Sequence, residues 1–229
     1  PLSAYSNPRV GGIIGINIDE GDRLLAVHIS DGTRDVLIAT AAGISIRFPE
    51  TDVRSMGRAS YGVNGIRLRE GDRVVAMEVL EAEGDILSVS ERGYGKRTPL
   101  EDYRLQGRGG LGIINLKVSE KTGQVVGVRQ VAAGSGLILI TQDGKIIRLN
   151  VDSIRVIGRS TQGVKLMDLE GEDRLVGVAK LAESDEGEGE DEDGEPLSGA
   201  ADIGVEDLID PSTLEEANPE TPDGEEPVN

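Results

Sequence analysis

Apolar residues recur at every second position through much of the first 182 residues. Segments 13–18, 63–68, 113–118 and 164–169 alternate in this way. A turn follows each of them: Glu20-Gly21-Asp22-Arg23, Glu70-Gly71-Asp72-Arg73, Glu120-Lys121-Thr122-Gly123 and Glu170-Gly171-Glu172-Asp173. Alternation places one set of side chains on one face of a half-buried strand, whereas a helix needs a period of about 3.6 residues. Gly takes positive φ freely and Asp bonds its own backbone, so these turns favour tight reversal. A second strand is expected after each turn, at 24–29, 74–79, 125–131 and 175–181. Three hairpins complete the pattern: 36–40 turns through Gly43 into 44–48, 86–90 through Gly93 into 94–98, and 137–141 through Gly144 into 145–149.

The same order of elements returns along the chain, in units spanning 1–48, 49–98, 99–149 and 150–182. The first unit is incomplete at its start, and the fourth stops after its second strand. The chain opens on Pro1 inside a repeat, which leads to the expectation that it is a fragment. Recurrence at an interval near fifty residues, with four short strands per unit and no sustained helical period, predicts an all-β, propeller-like array of four-stranded blades.

Each junction between units carries charge. Arg54-Ser55-Met56-Gly57-Arg58, Arg104-Leu105-Gln106-Gly107-Arg108 and Arg155-Val156-Ile157-Gly158-Arg159 repeat Arg-x-x-Gly-Arg at intervals of 50 and 51 residues. The first unit holds only Arg9 there. The last hairpin strand adds an arginine in register, at Arg47, Arg97 and Arg148. A guanidinium presents a planar fork of donors that matches phosphate, and neighbouring glycines let backbone N–H groups approach the same anion. One such loop is better explained by solvated arginines paired with Asp52, Asp102 or Asp152. Three in register are not, because a sheet array needs no positive charge at equivalent positions in order to fold.

The net charge of −18 conceals this. Residues 183–229 contain 19 of the 42 acidic residues and no Lys or Arg, leaving 23 acids against 24 basic residues in the body. Segment 183–229 is rich in Asp, Glu, Gly and Pro, and is expected to be a disordered acidic tail. Two roles are open for it: competing with an anionic ligand for the basic loops, or acting as a solubilising spacer.

Other chemistry is largely excluded. The chain has no cysteine, which removes thiol catalysis and cysteine–metal sites and fits a reducing compartment. His28 is the single histidine and lies in an expected strand, so a structural role is expected for it. The Asp/Glu-Gly turns lack the alternating ligands of a calcium loop. Gly107-Arg108-Gly109-Gly110-Leu111-Gly112 matches G-x-G-x-x-G but leads into an alternating strand rather than a helix, so it is not a dinucleotide site. Tyr5 and Tyr103 occupy equivalent repeat positions, which suits packing. With only five aromatic residues the chain lacks stacking platforms for single strands, leaving duplex DNA held by its phosphates as the better nucleic-acid ligand.

The run from Gly95 to Gly112, with Ile157-Gly158-Arg159-Ser160-Thr161-Gln162-Gly163 and Phe48-Pro49-Glu50-Thr51-Asp52-Val53-Arg54, resembles the blade junctions of DNA gyrase A C-terminal domains, from the bacterial type IIA topoisomerases. The resemblance covers residues 1–182. It implies a β-pinwheel whose blades exchange strands and whose rim wraps double-stranded DNA for ATP-dependent strand passage and negative supercoiling. It also implies partnership with the gyrase B protein in an A2B2 heterotetramer, a cytoplasmic and chromosome-associated location, and no catalysis in this fragment. ATP and Mg²⁺ are expected for the holoenzyme only.

The expected DNA contacts are Arg54, Arg58, Lys96, Arg97, Arg104, Arg108, Lys145, Arg148, Arg155 and Arg159. No catalytic or metal-ligating residue is expected. Gln106, Gly107, Arg108, Gly109, Gly110, Leu111 and Gly112 read as a degenerate copy of the family's Gln-Arg-Arg-Gly-Gly-Lys-Gly wrapping box, having lost basic residues at Gly107 and Leu111. The rival readings are the related C-terminal domain of topoisomerase IV and a propeller used only to bind protein.

Overall fold

A computed structural model describes residues 1–181; the acidic segment 183–229, and the expectation of disorder there, lie outside the described residues. Among the described residues, eleven strands form three antiparallel sheets. In the first, the hairpin β1 (Asp35–Thr40) and β2 (Ile44–Pro49) is flanked by β3 (Val74–Leu80) and β6 (Ile113–Ile114), in the order β3-β1-β2-β6. The second repeats this around the hairpin β4 (Asp85–Ser90) and β5 (Tyr94–Pro99). Its flanking strands are β7 (Val125–Val131) and β10 (Val164–Lys165), in the order β10-β5-β4-β7. The third joins β8 (Gly136–Thr141), β9 (Ile146–Asn150) and β11 (Leu175–Lys180) in the order β11-β8-β9.

Each four-stranded sheet therefore draws on three successive repeat units. The hairpin comes from one unit, an edge strand from the next, and a two-residue edge strand from the one after. Strands are thus exchanged between units, as the resemblance implies. Segments 13–18, 24–29 and 63–68 depart from the expected pattern. None of these segments is a strand among the described residues. Val27, Ile29 and Ile14 are consequently exposed, and so is His28.

In the third and fourth units the first strand shortens to two residues. After Ile114 the backbone turns over the β1–β2 reversal, and the amides of Asn115 and Leu116 both donate to the Gly43 carbonyl. Leu166 and Met167 do the same to Gly93. Gly43 has φ +77°, and a Cβ there would stand 2.1 Å from the Leu116 carbonyl oxygen, so this close crossing requires glycine.

Two matching cores lie between the sheets. Leu37, Leu80, Ile86, Leu100, Tyr103, Leu116 and Val128 fill the first. Leu87, Val131, Leu137, Val151, Ile154, Met167 and Val178 occupy the equivalent positions of the second. The first contains a buried polar group: Tyr103 Oη and Ser88 Oγ both donate to Asn115 Oδ1, at 2.6 and 3.0 Å. In the second these positions are Ile154, Leu139 and Leu166, so the polar trio is exchanged as a set for an apolar one. Tyr103→Phe removes one donor while Ser88 still serves Asn115, and is expected to lower unfolding free energy by about 1 kcal/mol. Urea denaturation checks this; an unchanged midpoint contradicts it.

Candidate nucleic-acid interface

The Arg-x-x-Gly-Arg loops of the third and fourth units run along the sheet edges away from β3 and β7, whereas the 54–58 loop lies on no sheet among the described residues. Leu105 forms a parallel bridge with Arg47 of β2, and Val156 one with Arg97 of β5. The Gln106 amide donates to the Arg47 carbonyl, and the Ile157 amide to the Arg97 carbonyl, both at 2.9 Å. The third and fourth units thus lay equivalent loops on hairpins two units earlier. Glycines let this happen. Gly112 has φ +72°, and a Cβ there would lie 2.5 Å from the Ser45 carbonyl oxygen. The Gly109 amide donates to Gly65, and Gly110 accepts from the Arg67 amide. The glycines of the degenerate box therefore seat one backbone against another. Leu111 is exposed, while the Gln106 side-chain nitrogen is buried without a partner among the described residues.

The two arginines of each loop have different surroundings. Arg54, Arg104 and Arg155 are exposed, and no side-chain hydrogen bond or ion pair engages them among the described residues. The second arginines turn back into the protein. Arg58 Nη1 donates to the Ile14 carbonyl at 3.0 Å, Arg108 Nη1 to Asn64 at 2.6 Å, and Arg159 Nη1 to Ile114 at 2.7 Å. All three acceptors sit at one repeat position, in the unit before the arginine.

The remaining expected contacts divide as follows. Arg148 is exposed, and Lys145 is exposed 3.7 Å from Glu170 Oε1. Arg97 faces inward: Nε donates to the Ile154 carbonyl at 2.9 Å, and Nη1 lies 3.4 Å from Asp85 and 3.6 Å from Asp152. Arg47 makes the equivalent clasp on Asp35, Leu100 and Tyr103. The expectation that Lys96 reaches outward is corrected, since its side chain is fully buried. Its Nζ donates to the Gly158 carbonyl at 2.7 Å, to the Arg159 carbonyl, and to Thr161 Oγ1 at 3.2 Å. Burial, with the nearby Arg159 charge, draws its ammonium down to about 8, against a weaker upward pull from Asp102.

Burial drives the Tyr103 phenol well above its ordinary range, which keeps it protonated. The structure also brings together a positive position that sequence reasoning missed. Arg23, Arg73 and Arg174 follow an aspartate at equivalent turns, and all three line one cleft with Leu25, Val75 and Val176. The recurring Asp-Arg pair was the available signal. Among the described residues no helix is long and apolar enough to cross a membrane.

This architecture recurs among known proteins. A family model described as the DNA gyrase C-terminal domain, beta-propeller, matches residues 1–31, 34–81, 84–132 and 137–182. The DNA gyrase A protein of Halalkalibacterium halodurans is 56% identical over 191 residues, covering 83% of this chain and 23% of that protein. The DNA gyrase A protein of Klebsiella oxytoca is 39% identical over 208 residues, covering 91% of this chain and 23% of its own length. The chain thus spans about a quarter of the relatives it matches. Among solved structures, the C-terminal domain of a DNA topoisomerase IV superposes with a TM-score of 0.75 at 26% identity, covering 79% of this chain and 57% of that one. A DNA gyrase A C-terminal domain superposes with a TM-score of 0.70 at 28% identity, covering 75% and 59%.

Proposed function

Since the chain belongs to the DNA gyrase C-terminal domain family, we propose that it binds and wraps duplex DNA along the loop-bearing edges of its sheets, as part of a gyrase A protein. The observation that carries this is the spacing of Arg54, Arg104 and Arg155. The second, third and fourth units each offer one exposed guanidinium with no protein partner among the described residues, at the same place in the repeat. A row of such forks matches a polyanion whose charge recurs along its length. Arg148 adds a further exposed charge. The contacts are to phosphate, so the mode of binding is tolerant of sequence.

In this reading the chain presents a DNA segment for strand passage and itself breaks no bond. Cleavage, ATP and Mg²⁺ belong to other parts of an A2B2 enzyme formed with the gyrase B protein, working on the bacterial chromosome in the cytoplasm. Fluorescence titration of a labelled duplex with the full 229-residue chain tests the binding. Affinity is expected to fall steeply with salt, with a log–log slope of about −0.9 per phosphate neutralised. Absence of binding at low salt contradicts the proposal and favours a protein-binding propeller.

The likeness to a topoisomerase IV domain supports a second reading, in which duplex is bound but not wrapped. Ligating nicked circles in the presence of the chain separates the two. Wrapping shifts the linking number of the closed product, whereas binding without wrapping leaves it unchanged.

A further inference from the structure

We propose that the second arginine of each motif, Arg58, Arg108 or Arg159, is a positioning residue that locks the loop to the preceding repeat, so that the first arginine alone contacts phosphate. The proposal rests on the DNA-binding reading above and divides the motif into two roles.

Three features support the division. The three guanidiniums donate to the carbonyls of Ile14, Asn64 and Ile114, which lie 50 residues apart and 44 or 45 residues before their arginines. Two of the three also lie over a tyrosine of the preceding unit: Arg58 over Tyr5 and Arg159 over Tyr103, each 6.0 Å from the ring centroid. Where the middle repeat has Val53 at that position, Arg108 makes a different second contact, with Nε donating to the Asp52 carbonyl at 3.1 Å. Each arginine therefore has two anchors on the unit before it, and substitution of the aromatic is matched by a replacement hydrogen bond.

The anchors also suit the role. Carbonyls and a π face engage the guanidinium without neutralising it, so its charge still contributes to the potential along the edge. Its Nη1 donor, and for Arg108 its Nε donor as well, is nevertheless directed inward and engaged before any ligand arrives. The first arginine is four residues away in the same loop, and the orientation of that loop determines where its fork points. A displacement of about 1 Å in a positioned group is enough to weaken a geometry-dependent interaction substantially.

A double-mutant cycle at Arg104 and Arg108 in the full chain tests this, read by duplex affinity and its salt slope, with thermal unfolding confirming that each variant is folded. R108K preserves the charge but replaces the two-directional fork with a single ammonium. We expect R108K to weaken binding about fivefold with little change in slope, and R104Q to weaken it about tenfold while reducing the slope by about 0.9. In the R104Q background, R108K should cost nothing further, because the contact it positions is already gone. An R108K effect of equal size in both backgrounds shows that Arg108 contacts phosphate directly and overturns the assignment. Wild-type affinity in R108K overturns it too, by showing that the anchors only support folding. R58K, read against R54Q, repeats the cycle on the preceding loop should R108K fail to fold. Failure of the DNA-binding reading is distinct: the wild-type chain then binds no duplex at low salt.

Discussion

Replacing Arg54, Arg104 and Arg155 together by Gln is expected to reduce affinity for duplex DNA by about two to three orders of magnitude at low salt, with the salt slope falling by about 2.7. The size follows from the sites. All three side chains are exposed and free of protein partners among the described residues, so none has to break an internal ion pair in order to reach phosphate. Each then contributes a charge-assisted contact and the release of a condensed counterion. Folding should not change, since nothing in the protein depends on these guanidiniums; exposed substitutions of this kind shift stability by less than about 0.5 kcal/mol. Titrations across a salt series, beside thermal unfolding of the same samples, check both statements. Unchanged slope in the triple variant contradicts the assignment of these residues.

Lys96→Met is expected to act in the opposite way, destabilising the fold by about 2 kcal/mol while leaving the surface arginines in place. The ammonium is enclosed and donates to Gly158, Arg159 and Thr161, beneath the Arg155–Arg159 loop. Methionine fills similar volume but leaves the Arg159 carbonyl and Thr161 Oγ1 without this donor, at about 1–3 kcal/mol each, while the Gly158 carbonyl still accepts from Thr161 Oγ1 at 2.9 Å. Relief of the desolvation that the charge suffers offsets about 3 kcal/mol of this. Urea denaturation measures the net effect.

A pH dependence follows from the same residue. The folded-state value is lowered to about 8 from 10.5. Below pH 8 both folded and unfolded chains hold the proton, and the fold bears the full penalty. Between pH 8 and 10.5 the folded chain releases it while the unfolded chain retains it, so this residue's contribution to stability rises with pH across that window. The stability difference between wild type and K96M cancels the other titrating groups and should widen by up to about 3 kcal/mol over the same range. A difference that stays flat contradicts the lowered value.

Much of the sheet framework is legible from alternation alone. The hairpins around Gly43, Gly93 and Gly144 form as read, and the strands after the turns appear as β3, β7 and β11. Alternation reports burial, however, and not the length of a hydrogen-bonded ladder. Leu116 is buried as the pattern at 113–118 implies, yet Ile114 is exposed and the ladder ends there, because the backbone crosses over Gly43. Partners two repeats away leave no local trace at all.

The interface is legible in the same uneven way. Periodicity locates the arginine loops. The partners of the second arginines are backbone carbonyls in the preceding unit, which no side-chain pattern can reveal, although Tyr5 and Tyr103 hint at two of them. Lys96 reads as a surface residue because it stands beside Arg97. The repeat itself holds the correction: the equivalent residues are Ile46 and Ile147, which marks position 96 as a core site. Comparing each charged residue with its apolar counterparts in other repeats separates Lys96 from the exposed arginines.

Mapping the path of bound duplex tests the central claim most directly. The chain has no cysteine, so a single cysteine at Ser55, Leu105 or Val156 can carry an iron–EDTA group beside each exposed arginine while leaving that arginine intact. A control at Gln142, in the hairpin turn at the opposite end of its sheet from the loops, completes the set. Cleavage of the duplex from all three loop positions, at successive places along one path, with little from Gln142, is the predicted result. Equal cleavage from the control, or none from the loops, would contradict the claim that duplex DNA follows the row formed by Arg54, Arg104 and Arg155.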